Sequence, residues 1–257
     1  MLATAFAHVS DLHIGLSPKA DRAALRLCRT LSQGPADPVL LTGDVTHRGS
    51  REELELFRDL FAPLLRTGRI LAVPGNHDRL GEDLREAFMQ GPRVQAEQRG
   101  GLFVVRLDST GEHNRRWYDC HGRVDEEDIR AVEAALLSAP AGLQTVLLLH
   151  HHPLPLAHDN PVERLATWLG WPNARELDRG RLLLSRIRGL CDAVLHGHRH
   201  VPAEINPWPL DARPLRIFSA GSSTLQGAFR TFRSAKAPAC WTPLADPDVF
   251  LPVPLPA

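Results

Sequence analysis

The chain has 257 residues, of which 43% are hydrophobic, and its acidic and basic residues balance to a formal net charge of zero. This length and apolar content predict one large domain or two small ones with a sizeable core, and they exclude a largely disordered chain. The absence of excess positive charge disfavours a protein that binds extended nucleic acid through a strongly basic surface.

Other sequence features bear on where the protein acts. No stretch reaches the roughly 20 apolar residues that a membrane-spanning helix needs, and the first residues lack the basic region of a signal peptide. The four cysteines lie far apart and form no CxxC pair, which is typical of a reducing compartment. The sequence therefore predicts a soluble cytoplasmic protein without a membrane span.

Strands and helices alternate along the chain. Short apolar runs predict strands at 2–9, 38–42, 69–73, 102–107, 145–149, 192–195 and 215–220. Apolar residues spaced by three and four predict helices at 19–34, 50–68, 125–139 and 179–190. Most of the apolar runs are continuous rather than alternating, as in strands buried on both faces. This order predicts an α/β fold with a largely parallel sheet.

Two segments depart from this regular order. Residues 153–178 form a long insertion that we expect to overhang the functional site and to set its specificity. Residues 234–257 form a proline-rich tail, which excludes a helix or a central strand there. We therefore expect one domain over residues 1–233, followed by the tail at 234–257.

Polar residues follow five of the apolar runs at the point where each predicted strand ends. In chain order they are Asp11 and His13; Asp44; Asn76, His77 and Asp78; His150, His151 and His152; and His196, His198 and His200. In open α/β sheets the ligand crevice lies beyond the carboxyl ends of the strands, so we expect these side chains to meet at one edge of one sheet.

The chemistry of these side chains predicts a metal site. Carboxylate, imidazole and amide oxygen together suit Mn²⁺, Fe²⁺ and Zn²⁺, and no thiolate takes part. Such a set is too large for one open catalytic ion, but two ions that share a bridging carboxylate would use it. Two ions about 3.5–4 Å apart suit in-line displacement at phosphorus or the hydrolysis of an amide.

The order Asp-x-His, Gly-Asp, Gly-Asn-His-Asp, His-His-Pro and Gly-His-x-His resembles the calcineurin-like metallophosphoesterase superfamily. The resemblance runs from Asp11 to about Ser223, and all five blocks are present in order. It implies a four-layer α/β/β/α sandwich of two mixed sheets flanked by helices. It also implies a dinuclear centre, with Mn²⁺ or Fe²⁺/Fe³⁺ favoured and Zn²⁺ as a further candidate.

The resemblance also implies a role for each site residue. Seven residues match the metal ligands: Asp11, His13 and His200 for the first ion, Asp44 as the bridge, and Asn76, His151 and His198 for the second. The His-His-Pro block aligns with His151-His152-Pro153, and a shift of one residue would make His150 the ligand. His77 matches the histidine that faces the substrate phosphate, and we expect Asp78 to orient it.

Four segments resemble the bacterial branch related to class III cyclic-nucleotide phosphodiesterases. They are GDVTHRG, LDST, HHPLP and FSAGSST. His47 stands where protein phosphatases of the superfamily carry a second Asp, which disfavours activity on phosphoproteins. The resulting hypothesis is a phosphoesterase that uses two metal ions and a hydroxide generated on them to cleave a diester or related ester of a small molecule.

Several alternatives stay open at this stage. A nucleotide-sugar or lipid pyrophosphatase, or a nuclease, could use the same site, although superfamily nucleases have longer chains. A non-catalytic scaffold with the same fold would lack ligands, and none is missing here. A metallo-β-lactamase-like fold would need an early HxHxDH motif, whereas HGHRH comes late in this chain and lacks the Asp.

Overall fold

The structure, a computed structural model, describes residues 5–155, 176–237 and 239–244. All seven predicted strands are present, together with four that the sequence analysis did not predict. The strands are β1 (Phe6–Val9), β2 (Val39–Thr42), β3 (Ile70–Val73), β4 (Val94–Arg99), β5 (Leu102–Leu107), β6 (Gln144–Leu148), β7 (Ala193–His196), β8 (Ala203–Ile205), β9 (Arg216–Ser219), β10 (Ala228–Phe232) and β11 (Cys240–Pro243).

The described helices are α1 (Pro18–Gln33), α2 (Arg51–Leu60), α3 (Ala62–Arg66), α4 (Arg85–Phe88), α5 (Glu126–Leu137), α6 (Gly180–Ile187) and α7 (Ser223–Gln226). The four predicted helices are present, one of them divided into α2 and α3, and α4 and α7 were not predicted. A capping box begins α2, where the Glu53 backbone N–H donates to Ser50 Oγ and the Ser50 N–H donates to Glu53. No described helix is long and apolar enough to cross a membrane.

The strands form two mixed sheets. The first has the order β11-β10-β1-β2-β3, with β1, β2 and β3 parallel and β10 antiparallel to β1. The second has the order β4-β5-β6-β7-β9-β8, in which β5, β6, β7 and β9 are parallel and the two edge strands are antiparallel. Parallel strands dominate the centre of each sheet, as the continuous apolar runs predict.

Three apolar clusters fill the space between four layers. Helices α1, α2 and α3 pack on the outer face of the first sheet, and α5 and α6 pack on the outer face of the second. The third cluster lies between the two sheets, where Phe6 and Leu40 of the first meet Val104 and Leu148 of the second. The fold is therefore the four-layer α/β/β/α sandwich of two mixed sheets flanked by helices that the resemblance implies.

Some elements differ from the sequence prediction. The helix predicted over 50–68 is divided at Phe61, because Pro63 has no N–H to continue the ladder of α2. Residues 240–243 of the proline-rich tail pair with β10 as an edge strand, a position that proline tolerates. Strand β4 went unpredicted because its sequence, VQAEQR, is mostly polar at the edge of its sheet.

His8 lies in β1 and is fully buried, with Nε2 at 3.0 Å from Thr42 Oγ1. Burial and then the charge of Arg230 lower the pKa of its imidazole well below 6.5. Burial also lowers the pKa of His196 to about 4. Both side chains therefore stay neutral in the folded protein at pH values where the unfolded chain takes up protons.

We therefore expect acid to destabilise the metal-free protein. Stability from these neutral histidines is complete above about pH 6.5 and is lost below it, by up to about 1.4 kcal/mol per pH unit for each group. Urea unfolding in chelator at about pH 7, 6 and 5 measures this slope, and His8→Gln should reduce it. An unchanged slope in that variant would show that His8 takes no part.

Candidate metal centre

Five loops that follow β1, β2, β3, β6 and β7 bring the predicted site residues together. From the sequence we expected these residues at one edge of one sheet, and the structure corrects this. The first three strands belong to the first sheet and the other two belong to the second. The site therefore lies where the carboxyl ends of two facing sheets meet, and each sheet supplies part of it.

The backbone is unusual at five of the predicted metal ligands. Asp11, His13, Asp44, His198 and His200 all have positive φ angles, between 46° and 77°. This left-handed conformation costs free energy for residues other than glycine, and it is concentrated at functional sites. Hydrogen bonds between loops hold it: the Asp11 N–H donates to Gly43 O and the His13 N–H donates to Asp44 O, both at 3.0 Å.

The first group of converging donors contains Asp11, His13, Asp44 and His200, whose ligand atoms lie within 4.8 Å of one another. His13 Nε2 is 2.9 Å from His200 Nε2, and His200 Nε2 is 3.3 Å from Asp11 Oδ1. His13 Nε2 lies 3.8 Å from Asp44 Oδ2. These four residues are those that the sequence assigns to the first ion and the bridge.

The second group lies on the other side of Asp44. His150 Nε2 is 3.4 Å from Asp44 Oδ2 and 3.1 Å from Asn76 Oδ1, and His198 Nδ1 is 3.0 Å from the same amide oxygen. Asp44 Oδ2 thus faces imidazoles of both groups, as a bridging carboxylate would. The predicted residues Asn76 and His198 therefore lie together beside Asp44.

The ring nitrogens of His151, which the resemblance assigns to the second ion, have hydrogen-bond partners away from Asp44. The His151 Nδ1 is 2.9 Å from Ser109 Oγ, and its Nε2 is 3.0 Å from the carbonyl oxygen of Cys120. Both ring nitrogens therefore have partners outside the Asp44 cluster, whereas His150 Nε2 faces Asn76 and Asp44. The geometry favours the shift of one residue that the sequence left open, although His151 still lies within 4.8 Å of His150 and His198.

Electrostatics couple Asp44 to His150. Burial alone would raise the pKa of Asp44 and lower that of His150, but their mutual attraction outweighs it. The pKa of Asp44, which also feels His77, lies well below its usual range, and that of His150 rises to about 9. A site that holds a proton on a buried imidazole beside a carboxylate has the negative potential that favours a divalent cation, whose binding releases that proton.

His77 contacts both the cluster and the neighbouring loop. Its backbone N–H donates to Asp44 Oδ1 at 2.8 Å, and its Nδ1 lies 2.7 Å from the carbonyl oxygen of His47. The ring packs edge-on against His13, with centroids 4.6 Å apart. The contact with His47 fixes the orientation of the His77 ring, and His77 lines the cavity over the cluster.

Asp78 does not orient His77, contrary to the sequence prediction. Its Oδ1 accepts hydrogen bonds from the backbone N–H and hydroxyl of Thr46, and its Oδ2 accepts from Gly75 and Val45. Burial and then the charge of Asp44 raise the pKa of Asp78 to about 6. Its role is to join the loops after β2 and β3, and so to fix the backbone that carries Asp44.

Two serine-containing segments support the cluster in ways that the sequence analysis did not predict. Ser109 Oγ lies 3.3 Å from the backbone nitrogens of both His150 and His151. Ser222 Oγ donates to the carbonyl oxygen of Asp11 at 2.8 Å, and so satisfies the backbone of a strained turn. The segments LDST and FSAGSST were the only signal for them, and it came from resemblance alone.

An open cavity of about 240 Å³ lies over the cluster. It is lined by Asp44, Asn76, His77, Cys120, His198, Arg199 and His200. Predicted metal ligands and the predicted phosphate-facing histidine thus share one cavity. Its floor is made of imidazole nitrogens and carboxylate or amide oxygens that face one another, and a bound cation would stabilise this arrangement.

Two further aromatic side chains lie at different distances from the cluster, Trp208 away from it and His152 beside it. Trp208 packs on the core of the second sheet, with the Arg188 guanidinium 4.9 Å from its ring centroid. His152, the expected neighbour of the site, stacks on His198 with ring centroids 5.5 Å apart. Residues 156–175, with most of the predicted insertion 153–178 and with His158, Trp168 and Trp171, lie outside the described residues.

Gly75→Ala is expected to lower activity by about 10²-fold or more, because a small displacement of a catalytic group has that effect. A Cβ at Gly75 would lie within 3.0 Å of the backbone nitrogen and side chain of Asp44. Steady-state kinetics and metal content measure the change. Gly34→Ala is the matched control, since its Cβ meets only the Thr30 and Leu31 carbonyl oxygens, at 3.3 and 3.8 Å. Full activity in Gly75→Ala would contradict the tight packing around Asp44.

Known proteins share sequence and fold with this chain. A relative from Pseudoalteromonas, named a probable cyclic nucleotide phosphodiesterase, is 22% identical over 86% of this chain and 78% of its own length. A cAMP/cGMP dual specificity phosphodiesterase of Mycobacterium tuberculosis is 27% identical over 75% of this chain and 60% of its own length. For several relatives the alignment spans only about three fifths of the relative's length.

A structural comparison and a match to a family model point to the same class of proteins. A dimetal phosphatase from Danio rerio superposes with a TM-score of 0.65 at 12% identity, covering 95% of this chain and all of that one, which shows the shared fold. The model of the calcineurin-like phosphoesterase family matches residues 4–202. This match includes every block that carries the converging Asp, Asn and His side chains, and the chain therefore belongs to the calcineurin-like phosphoesterase family.

Proposed function

We propose that this member of the family is a dinuclear-metal-dependent phosphodiesterase that acts on a small-molecule diester. One observation carries the proposal: Asp44 Oδ2 faces His13 at 3.8 Å and His150 at 3.4 Å, so that one carboxylate oxygen joins two groups of donors. Family membership already makes the chain a metal-dependent hydrolase of phosphoric esters.

The donors present fit a pair of divalent ions. Asp11, His13 and His200 would hold one ion, Asn76, His150 and His198 would hold the other, and Asp44 would bridge them. These groups of described residues offer only imidazole nitrogens and carboxylate or amide oxygens. Such donors suit Mn²⁺, Fe²⁺/Fe³⁺ and Zn²⁺ rather than a thiolate-bound structural zinc, and we favour manganese or iron.

The protein residues have distinct tasks in this proposal. When bound, the ions would supply an activated water near neutral pH and would neutralise charge on the phosphoryl oxygens. His77, oriented through its Nδ1 by the His47 carbonyl, lines the cavity, where it stabilises developing charge or delivers a proton to the leaving oxygen. Asp78 acts indirectly, by fixing the loops that carry Asp44.

The substrate class rests on the relatives and on charge. Two relatives that align with most of this chain carry the names of cyclic nucleotide phosphodiesterases. The formal net charge of zero disfavours extended nucleic acid, whose binding depends on many cationic contacts. We therefore propose a nucleotide diester of low molecular weight as the substrate.

The test uses the whole chain, stripped with a chelator and reloaded with Mn²⁺, Fe²⁺ or Zn²⁺. Substrates are bis(p-nitrophenyl) phosphate, 3′,5′-cyclic AMP, 3′,5′-cyclic GMP, the alkyl diester glycerophosphoethanolamine and the monoester p-nitrophenyl phosphate. We expect turnover of the diesters that returns only with metal. Metal-independent turnover, or no turnover with any of the ions, would overturn the proposal.

We further propose that the enzyme works in the cytoplasm. Among the described residues none of the four cysteines forms a disulfide, and Cys28 and Cys191 are buried as small apolar residues. Cysteines that stay reduced are typical of proteins in reducing compartments. Fractionation of cells that express the full chain, followed by detection of the protein and its diesterase activity, tests this location.

A further inference from the structure

One wall of the metal cavity is formed by the segment between β5 and α5. We call residues 111–123 the aromatic loop. Cys120 of this loop lines the cavity, and its carbonyl oxygen lies 3.0 Å from His151 Nε2. A Cβ at Gly122 would lie within 3.0 Å of the His151 side chain, so the loop and the His150–His152 segment are in close contact.

Internal hydrogen bonds give the aromatic loop a defined shape. Asn114 is fully buried, accepts from the Gly111 N–H at 2.8 Å and donates to the carbonyl oxygen of Asp119 at 2.7 Å. The rings of His113 and His121 stack with centroids 4.5 Å apart. These contacts hold the two ends of the aromatic loop together, and the residues between them project into solvent.

The tip of the aromatic loop exposes two aromatic side chains. Trp117 is 76% exposed and Tyr118 is 47% exposed, and their rings are nearly perpendicular at a centroid distance of 5.8 Å. Among the described residues, no other two large exposed hydrophobic side chains are adjacent in sequence. The exposed cations Arg115 and Arg116 precede them directly.

The exposed pair is joined to the wall of the metal cavity through the backbone of the aromatic loop. The carbonyl oxygen of Trp117 lies 3.8 Å from Cys120 Sγ, and the residue Cys120 lines the cavity. Exposed tryptophan has no role in the core, and aromatic faces beside a phosphoester site suit the flat rings of a nucleotide. The flanking guanidinium groups add positive charge where an anionic substrate approaches.

We propose that Trp117 and Tyr118 form a platform that stacks on the nucleobase of the substrate while its phosphate lies over the Asp44 cluster. This inference rests on the proposed function and adds the residues that select a nucleotide over an alkyl diester. Stacking of one base on an aromatic side chain contributes about 1–3 kcal/mol, which corresponds to roughly 5- to 150-fold in affinity.

The kinetic test compares wild type with Trp117→Ala, Tyr118→Ala and the conservative Trp117→Phe. The matched control is Trp241→Ala, which removes another partly exposed tryptophan from the edge strand β11. We expect Trp117→Ala to raise KM for 3′,5′-cyclic AMP by roughly 5- to 150-fold with little change in kcat, because stacking that is equal in the ground state and the transition state is lost. Trp117→Phe should recover most of the affinity, and hydrolysis of glycerophosphoethanolamine should not change.

A binding test separates failure of the platform from failure of the proposed hydrolysis. Titration of metal-loaded protein with adenosine 5′-monophosphate should quench tryptophan fluorescence in wild type and in Trp241→Ala but not in Trp117→Ala. Absent quenching of Trp117, or an unchanged KM for the nucleotide in Trp117→Ala, would overturn the platform. Equal losses on the nucleotide and the alkyl diester would also overturn it, since the loop would then only support the metal site.

The exposed pair could instead contact a second copy of this chain, and sedimentation tests this alternative. If sedimentation shows that wild type is a dimer and that Trp117→Ala is a monomer, the pair is an interface between copies of this chain and the platform is wrong. A monomer in both proteins, together with the quenching described above, supports the nucleotide platform. Because the binding signal needs no turnover, a protein that binds the nucleotide but hydrolyses no ester would overturn only the proposed function.

Discussion

Asp44→Asn is expected to reduce metal-dependent diester hydrolysis by about 10³-fold or more. One Asp44 oxygen faces His13 and His150, and the other accepts from the His77 backbone N–H. An amide removes the negative charge between the two groups and replaces one oxygen with a hydrogen-bond donor. Metal ions supply several kcal/mol of transition-state stabilisation, and each 1.36 kcal/mol corresponds to a tenfold change in rate.

The Asp44→Asn experiment needs both kinetics and elemental analysis. We expect fewer than two ions per chain, in parallel with the loss of kcat/KM for bis(p-nitrophenyl) phosphate. Asp59→Asn, on the exposed face of α2, is the matched control and should retain both. If Asp44→Asn kept two ions and near-normal turnover, a bridging role for this carboxylate would be untenable.

His150→Gln is expected to have an effect of similar size, again about 10³-fold, with loss of the second ion. The reason is that His150 Nε2 faces Asn76 and Asp44 directly. His151→Gln should retain two ions and lose no more than about 10- to 100-fold, the range typical of residues that orient ligands. Its nitrogens contact Ser109 and Cys120 instead.

Comparison of His150→Gln with His151→Gln shows which of the two histidines binds the second metal ion. Metal content measured at equal protein concentration, over a titration with Mn²⁺, separates loss of an ion from loss of orientation. His152→Gln serves as a third member of the series, because its ring stacks on His198 beside the cluster. A variant series in which His151→Gln lost an ion and His150→Gln retained it would restore the assignment made from the sequence.

Much of the fold could be predicted because strands that are buried on both faces have continuous apolar sequences. The runs PVLLT and TVLLL are continuous and apolar because β2 and β6 are covered on both faces, by helices on one side and the other sheet on the other. Strands such as β4 and β8 have no such sequences, since they are short or polar at sheet edges. These strands form because they pair with β5 and β9, and a short or polar stretch does not reveal such pairing in its own sequence.

The candidate site was predictable in composition but not in detail. Strand ends place Asp11, Asp44 and Asn76 at predictable points, because the chain must leave a parallel sheet where each strand stops. The choice between His150 and His151 depends on how the backbone turns after β6. That turn is fixed by contacts with Thr42 and Ser109, which are 108 and 41 residues away from His150 in the chain.

The sequence by itself determined the order of strands and helices, the set of nitrogen and oxygen donors at the strand ends, and the chemistry that such donors favour. These properties are local, because periodicity and side-chain type are present in short stretches of chain. Only the tertiary structure decided that two sheets share the site, that Asp78 holds the Asp44 loop rather than His77, and that His150 faces the cluster. Those outcomes depend on hydrogen bonds and packing between segments far apart in the chain, whose geometry exists only after the sheets have come together.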